Sequence, residues 1–223
     1  MTEELKKRIL TSLIILPLSI FFILKGGYFL LFFLLSIFFV ANYELFSVFN
    51  KKATILLLDL ILILSLYSIY YLADDAVLLY LLLWVIILVI CSDVGGYVFG
   101  KIFKWKKLTR ISPKKTLSGV LGSFVFSLFS IFIANAILPK ATATFMPIAS
   151  LINFLEPKFF FLAIILSLVA QTGDLTISYF KRIEKIKDTG KILPGHGGIL
   201  DRIDGLMFVV IVAFILIQIN IIP

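Results

Sequence analysis

The chain has 223 residues, of which 61% are hydrophobic and 15% are charged, and its mean hydropathy is +1.12. A soluble domain of this length does not need so much apolar surface, so the composition excludes an ordinary soluble protein and indicates a polytopic membrane protein. The single cysteine, Cys91, excludes an internal disulfide, and one cysteine beside one histidine argues against a zinc site.

Seven apolar segments have the length and hydropathy expected of membrane spans. In chain order they cover residues 9–24, 28–49, 54–72, 76–92, 117–138, 158–178 and 205–222. The first is short and contains Pro17, but no small-residue cleavage site follows before Lys25, so we interpret it as a retained helix rather than a signal peptide. The expected fold is an all-α, polytopic integral membrane helical bundle with about seven transmembrane helices, in a range of seven to nine.

The cationic residues are unevenly divided between the two ends of this predicted bundle. Of the 21 Lys and Arg residues, 18 lie in the N-terminal segment and in alternate loops, above all in residues 101–115 and 181–202. The opposite loops keep only Lys25, Lys140 and Lys158. By the positive-inside rule, the N-terminus and both long basic loops are expected to be cytoplasmic. The net charge of +8 is then explained by topology and attraction to anionic lipid rather than by nucleic acid.

Polar residues and glycines follow the fourth apolar segment. Residues 92–100 read SDVGGYVFG, with one acid and three glycines. After a basic stretch, residues 111–116 read ISPKKT, and Ser118, Gly119 and Gly122 open the next apolar segment. A proline close to a helix start suits the first helical turn, and the hydroxyls and amides near it suit an anion.

The most polar stretch lies between the last two apolar segments, at residues 171–205. Helical spacing places one carboxylate, one hydroxyl and three cations on one face: Asp174, Ser178, Lys181, Arg182 and Lys185. A glycine-rich loop follows, and two further aspartates lie three residues apart as the next helix begins. Carboxylates suit a divalent cation and basic side chains suit phosphates, so this combination is typical of phosphoryl or nucleotidyl transfer.

Residues 178–204 follow the pattern S-x-F-K-R-x4-K-D-x-G-x2-L-P-x-H-G-G-I-x-D-R-x-D. This pattern resembles the signature of the phosphatidate cytidylyltransferases (CDP-diacylglycerol synthases), and residues 173–175 extend the match. The family also commonly shows Asp-x-Gly/Ala-Gly/Ala-Tyr-x-x-Gly and Ser-Pro-x-Lys-Thr segments, which residues 93–100 and 112–116 resemble in the same order. One departure is Ile177, where many bacterial relatives carry an acidic residue, and we assign no role to it.

The resemblance implies a Mg²⁺-dependent nucleotidyltransferase that transfers CMP from CTP to phosphatidic acid, giving CDP-diacylglycerol and pyrophosphate in phospholipid biosynthesis. The expected enzyme is a single integral membrane domain over residues 1–223, with N-terminal helices over roughly 1–92 and a site-bearing part over roughly 93–223. We expect it in the bacterial inner membrane with its active-site loops cytoplasmic. The expected partners are CTP, phosphatidic acid and the lipid bilayer, without nucleic acid. A homodimer and a second, monovalent cation are left open.

The resemblance and the charges together suggest roles for individual residues. Asp174 and Asp201 are the expected Mg²⁺ ligands, with Asp204 as a third or outer ligand. Lys181 and Arg182 are expected to hold phosphate oxygens, and these two cations complete the catalytic set with Asp174 and Asp201. The expected substrate-binding residues are Ser112, Lys114, Lys115, Thr116, Ser178, Gly195, His196, Gly197, Gly198 and Arg202.

Structural explanations stand beside these assignments. Asp201 could simply cap the last helix, and the glycines could be ordinary turn residues. Lys114 and Lys115 could serve only membrane topology, and His196 could be an ordinary loop histidine. Two acids in or near apolar segments, Glu44 and Asp59, receive no role from the sequence.

Two other functional classes use similar residues. A secondary transporter for an anionic solute would use intramembrane aspartates and half-helix ends, but the charges here lie at the predicted cytoplasmic ends and no inverted repeat is evident. A CDP-alcohol phosphotransferase would also use clustered aspartates and Mg²⁺. Enzymes of that type carry a D-G-x2-A-R motif, however, and Asp204-Gly205 is not followed by the rest of that motif. The sequence therefore favours the cytidylyltransferase function.

Overall fold

The computed structural model describes residues 3–109, 111–113, 115–142, 152–190, 192–193, 195 and 197–222. These residues form seven helices: α1 (Glu3–Lys25), α2 (Gly27–Val48), α3 (Lys52–Asp74), α4 (Ala76–Phe103), α5 (Leu117–Thr142), α6 (Pro157–Ile183) and α7 (Leu200–Gln218). The described parts of the chain contain no strand beyond two isolated antiparallel bridges, which join Lys107 to Thr116 and Leu193 to Gly197. The all-α prediction is therefore confirmed for these residues.

Five of the helices are long and apolar enough to cross a membrane: α2, α3, α4, the stretch Leu117–Pro139 of α5, and α6. The apolar part of α1, Leu13–Lys25, is shorter. Helix α7 has 19 residues and is otherwise apolar, but its first turns carry three charged side chains, Asp201, Arg202 and Asp204, which separate it from the other five. The chain is an integral membrane protein, and its exact number of spans stays a prediction.

Helices α4 and α6 both end beyond the spans expected from hydropathy. Helix α4 continues to Phe103, well past the predicted end at residue 92, because its glycines pack against α5 instead of ending the helix. Helix α6 ends at Ile183, and Lys185 beyond it has a left-handed backbone with φ 57°. Lys185 is therefore not part of the helical face predicted to carry three cations.

The helices pack so that the site-bearing elements are neighbours. Helix α4 packs closely along α5, α6 pairs with α7, and α3 lies against both α2 and α7. A larger core cluster is centred on the fully buried rings of Tyr80, Trp84, Phe154 and Phe159. A smaller cluster joins α2 and α3 to α6 and α7, and includes Ala41, Leu45, Leu58, Leu62, Ile177 and Met207. This second cluster lies beside the polar end of the bundle.

Candidate active site

The crossing of α4 and α5 forms one wall of the site. A Cβ atom added to Gly95 would overlap the backbone oxygen of Gly122, so the two backbones approach more closely than any residue but glycine allows. The Ser123 hydroxyl donates to the backbone oxygen of Ser92 at 2.8 Å, and the Ser92 hydroxyl lies 2.9 Å from that of Ser167 on α6. These contacts hold Asp93, the residue after Ser92, at the junction of three helices.

A cavity of about 260 Å³ opens at this junction. Its lining comes from α4, from the start of α5 with the preceding loop, and from α6. The polar groups that face it include Asp93, Ser112, Lys115, Thr116 and Asp174. The two polar stretches, which are far apart in the sequence, thus meet in one cavity.

The contact that joins these two stretches is an ion pair between Lys115 and Asp174. The Lys115 ammonium group lies 2.5 Å from Asp174 Oδ2 and also donates to the backbone oxygen of Gln171 at 3.3 Å. The Ser178 hydroxyl, one helical turn further along α6, donates to Asp174 Oδ1 at 3.3 Å. Lys115 therefore balances a carboxylate within the cavity, which goes beyond a role in topology alone.

Glycines between α6 and α7 bring a second carboxylate close to Asp174. Gly205 packs on the backbone of Ala170, where an added Cβ would lie 3.2 Å from the carbonyl oxygen, and Gly173 packs on the ring of Phe208. Asp204, directly before Gly205, is close enough for its charge to interact with those of Asp174 and Asp93. Lys181 on α6 opposes this negative charge.

Asp201 is enclosed by donors from the protein. Its Oδ1 accepts from the Lys181 ammonium group at 2.7 Å, and its Oδ2 accepts from the backbone N–H of Thr189 at 2.8 Å and of Gly198 at 3.3 Å. It lies in the first turn of α7, whose N-cap is Ile199. Asp201 thus ties α6 and the glycine-rich loop to α7 without accepting from an amide of α7 itself, and its role as a Mg²⁺ ligand stays a prediction.

Arg182 connects the two basic loops. Its Nε donates to the backbone oxygen of Ile111 at 3.2 Å, and its Nη1 donates to that of Ile186 at the same distance. The side chain is exposed, so it lies at the surface where the two loops meet. It donates from two different nitrogens of its planar guanidinium group, a spacing that the single nitrogen of a lysine cannot reproduce. The expected contact with phosphate stays a prediction.

The residues before α5 form a compact loop. The Thr116 hydroxyl accepts from the backbone N–H of Gly119 at 3.1 Å, which caps the helix, and it also lies 3.0 Å from the Ser118 hydroxyl. The backbone N–H of Ser112 donates to the Thr109 hydroxyl at 3.2 Å. Thr116 therefore has a structural role and faces the cavity as well, while Lys114 lies outside the described residues.

The glycine-rich loop is folded back on itself. Leu193 and Gly197 exchange two backbone hydrogen bonds of 2.9 and 3.1 Å, and the left-handed φ values of Gly195 (77°) and Gly197 (91°) suit this turn. Gly198 is buried, and its N–H is engaged by Asp201. His196 lies outside the described residues. Contact of this loop with a nucleotide stays a prediction.

A model of the cytidylyltransferase family matches residues 50–220, about three quarters of the chain. The chain belongs to the cytidylyltransferase family. The match covers both polar stretches that meet in the cavity, so the family assignment and the geometry concern the same residues.

Relatives of this cytidylyltransferase-family chain carry the name phosphatidate cytidylyltransferase. One from Helicobacter pylori is 38% identical over 127 residues, which are 57% of this chain and 43% of the relative. One from Staphylococcus saprophyticus is 40% identical over 143 residues, 63% of this chain and 50% of the relative. One from Rickettsia conorii is 37% identical over 141 residues, 60% of this chain and 57% of the relative. The chain spans about half the length of the relatives it matches.

Two acids were not assigned to the site of this cytidylyltransferase-family protein from its sequence. Asp93 faces the cavity beside Asp174, and its charge also interacts with those of Lys115 and Arg202. In the sequence, the feature that could have identified Asp93 was the presence of an acid within the glycine-rich segment that follows the fourth apolar segment. Glu44, on α2, is buried against the start of α7. In the sequence, the only feature that singled it out was an ionisable side chain within an apolar segment.

The carboxylates suit a hard divalent cation that is shared with a substrate. Among the described residues, no group of three or more His, Cys, Asp or Glu side chains is arranged to hold a metal ion. Asp93 and Asp174 nevertheless line one cavity, and Asp204 lies within electrostatic range of both. Mg²⁺ prefers oxygen ligands and usually keeps only one or two protein carboxylates beside phosphate and water oxygens. The donor set therefore fits Mg²⁺ bound together with a phosphate.

Proposed function

We propose that this chain is a phosphatidate cytidylyltransferase, which transfers CMP from CTP to phosphatidic acid and releases pyrophosphate. The observation that carries the proposal is the cavity in which Asp93, Asp174 and Lys115 meet at the polar end of a membrane bundle. A lipid phosphate and a nucleotide triphosphate are both strongly anionic. A cavity that combines cations with carboxylates suits their joint binding, and the names of the relatives agree with this substrate pair.

The proposed reaction needs little covalent catalysis by the protein. An oxygen of the lipid phosphate attacks the α-phosphorus of CTP, a new P–O bond forms, and the bond to the bridging oxygen of the β-phosphate breaks to release pyrophosphate. Two anionic reactants must be held together and their charge balanced. Lys115 pairs with Asp174 and Lys181 with Asp201, and we propose that these two cations and Arg182 supply that positive charge.

Mg²⁺, when bound, would neutralise phosphate oxygens and the pyrophosphate leaving group. We propose Asp174 as its main protein ligand, with Asp93 and Asp204 beside it. Asp201, the other expected ligand, already accepts from Lys181 and two backbone amides. In its present contacts it orients Lys181 and the loop.

The proposed function is tested with purified protein, radiolabelled CTP and defined lipid in detergent. We expect label in a lipid product only when phosphatidic acid is present, together with release of pyrophosphate. A CDP-alcohol phosphotransferase would instead consume CDP-lipid and release CMP, and a transporter would make no product. Absence of labelled lipid from folded protein with Mg²⁺ and phosphatidic acid would overturn the proposal.

The cavity is proposed to face the cytoplasm of a bacterial inner membrane, because the cations concentrate at that end of the bundle. Single cysteines at Lys106 and Lys187, both exposed, test this in a Cys91→Ser background. We expect neither to react with an impermeant maleimide added to intact cells, while both react after lysis. Lys158→Cys, at the opposite end, is the positive control. Reaction of either loop cysteine from outside would reverse the orientation.

Arg182→Lys should lower turnover about tenfold or more, equivalent to about 1.4 kcal/mol of transition-state stabilisation. Lysine keeps the charge, but its single nitrogen cannot replace the two nitrogens with which Arg182 contacts Ile111 and Ile186, nor form a planar fork on phosphate. The measurement is CDP-diacylglycerol formation per folded protein at saturating and limiting CTP. Lys51→Arg and Lys52→Arg, at the start of α3 and at the same end, should be silent. Parent-like activity of Arg182→Lys would reduce its role to membrane topology.

A further inference from the structure

Glu44 is a buried acid near the end of α2, only 1% exposed, and it lies outside the part of the chain that matches the family. Its Oε1 accepts from the backbone N–H of Ile199 at 2.9 Å. Its Oε2 accepts from the backbone N–H of Leu200 at 3.2 Å and from the Thr189 hydroxyl at 3.4 Å. One carboxylate from the N-terminal helices therefore binds both ends of the glycine-rich loop.

These contacts supply what the start of α7 lacks locally. The first N–H groups of a helix have no partner within the helix, and the helix dipole favours a negative charge there. The N-cap residue, Ile199, has an apolar side chain and cannot accept a hydrogen bond from these N–H groups. Glu44 provides the cap from a different helix, so the start of α7 is fixed relative to α2.

Two glycines of the loop are packed around the same carboxylate. A Cβ atom added to Gly190 would lie 2.5 Å from Glu44 Oε1, and one added to Gly198 would lie 2.7 Å from Oε2. Contacts this short are essentially never seen for real Cβ atoms. The packing around Glu44 therefore favours a small residue at Gly190, and at Gly198 the Thr189 hydroxyl and the backbone of Gly190 contribute as well, independently of any substrate.

The carboxylate is linked to the proposed phosphate-binding residues through Thr189, which is fully buried. Its hydroxyl donates to Glu44, while its backbone N–H donates to Asp201 at 2.8 Å. Asp201 in turn accepts from Lys181 at 2.7 Å. Displacement of the loop would therefore displace the carboxylate that orients Lys181.

We propose that Glu44 is a positioning residue, which locks the glycine-rich loop and the start of α7 in the arrangement that aims Lys181 at a phosphate. The inference rests on the proposed cytidylyl transfer and adds to it a residue from the N-terminal helices. Glu44 touches neither reacting group in this role. It acts through Thr189, Asp201 and Lys181.

The test compares Glu44→Gln with the parent enzyme by hydrogen exchange and by kinetics. Glutamine has nearly the same size but only one acceptor oxygen, and its NH₂ group would face donors. We expect exchange in peptides covering residues 186–203 to become about tenfold faster, while peptides from α4 and α5 keep the parent rate. We also expect kcat/KM for CTP to fall about tenfold per folded protein. Glu156→Gln, an exposed glutamate at the opposite end, is the control and should change neither readout.

A role in overall stability alone would accelerate exchange throughout the bundle and leave the kinetics of folded protein unchanged, which would overturn the proposal. Parent-like exchange in residues 186–203 would also overturn it. If Glu44→Gln is not recovered folded, Glu44→Asp is tested instead. Its side chain is one methylene shorter, so its carboxylate cannot keep all three contacts. Unchanged exchange and turnover in Glu44→Asp would overturn the proposal. A parent protein without CTP-dependent activity would instead refute the proposed function, while the exchange comparison would still report whether Glu44 holds the loop.

Discussion

Asp174→Asn should lower CTP-dependent formation of CDP-diacylglycerol by at least about 100-fold, as expected for the loss of a key electrostatic group in an active site. Asparagine keeps the size of the side chain and its place on α6 but removes the charge. The Lys115 ammonium group, 2.5 Å away, would lose its counter-charge, and the cavity would lose a proposed Mg²⁺ ligand. The measurement is turnover per folded protein over a titration of Mg²⁺.

A double variant separates two reasons for such a loss. If Asp174 serves only to balance Lys115, the variant with both Asp174→Asn and Lys115→Gln should be no less active than Lys115→Gln alone. If Asp174 acts on the substrates through Mg²⁺, the double variant should be much less active than Lys115→Gln alone. Asp74→Asn, an exposed aspartate at the other end of the bundle, is the control and should keep parent activity. Near-normal activity of Asp174→Asn would remove it from the proposed metal site.

Gly122→Leu should prevent the close packing of α4 on α5 and destabilise the folded protein by about 3 kcal/mol, the upper part of the usual range for overpacking. A Cβ atom at this position would overlap the backbone oxygen of Gly95 and lie 2.5 Å from the Cβ of Phe99. The better helix propensity of leucine recovers only about 1 kcal/mol. The steric cost therefore dominates, and we expect a strong loss of monodisperse protein and a lower midpoint of thermal unfolding.

The position beside it on the same helix gives a matched control for this variant. Leu121 is exposed on the outer surface of α5, so Leu121→Phe adds bulk without entering the crossing with α4. It should unfold at the parent temperature. If Gly122→Leu also unfolds like the parent, the close approach of α4 and α5 is not required for the fold.

The helices were predictable because they follow from one physical requirement. Backbone groups within a bilayer must bond inside their own helix, so long apolar segments are expected to be helical. The predicted helix ends were wrong where packing against a second helix determines the end. Glycines near Gly95 lower the local hydropathy and suggested an end to the fourth span, but α4 continues because those glycines face α5.

The chemistry of the site was also partly predictable. Carboxylates, cations and glycines concentrated in two stretches pointed to the correct family, and the cavity contains residues from both stretches. The sequence did not assign Asp93 to the site, because a single acid beside glycines is also consistent with an ordinary helix end. Its partners become apparent only where α4, α5 and α6 meet.

Residue type and order by themselves determined the membrane class, the helical architecture and the family, since each depends on composition or on spacing along one segment. Tertiary structure alone decided which charge meets which: Lys115 with Asp174, Lys181 with Asp201, and Glu44 with the start of α7. Such pairs join residues up to 156 positions apart. The energy of a hydrogen bond or ion pair depends on distance in space, which local periodicity does not contain.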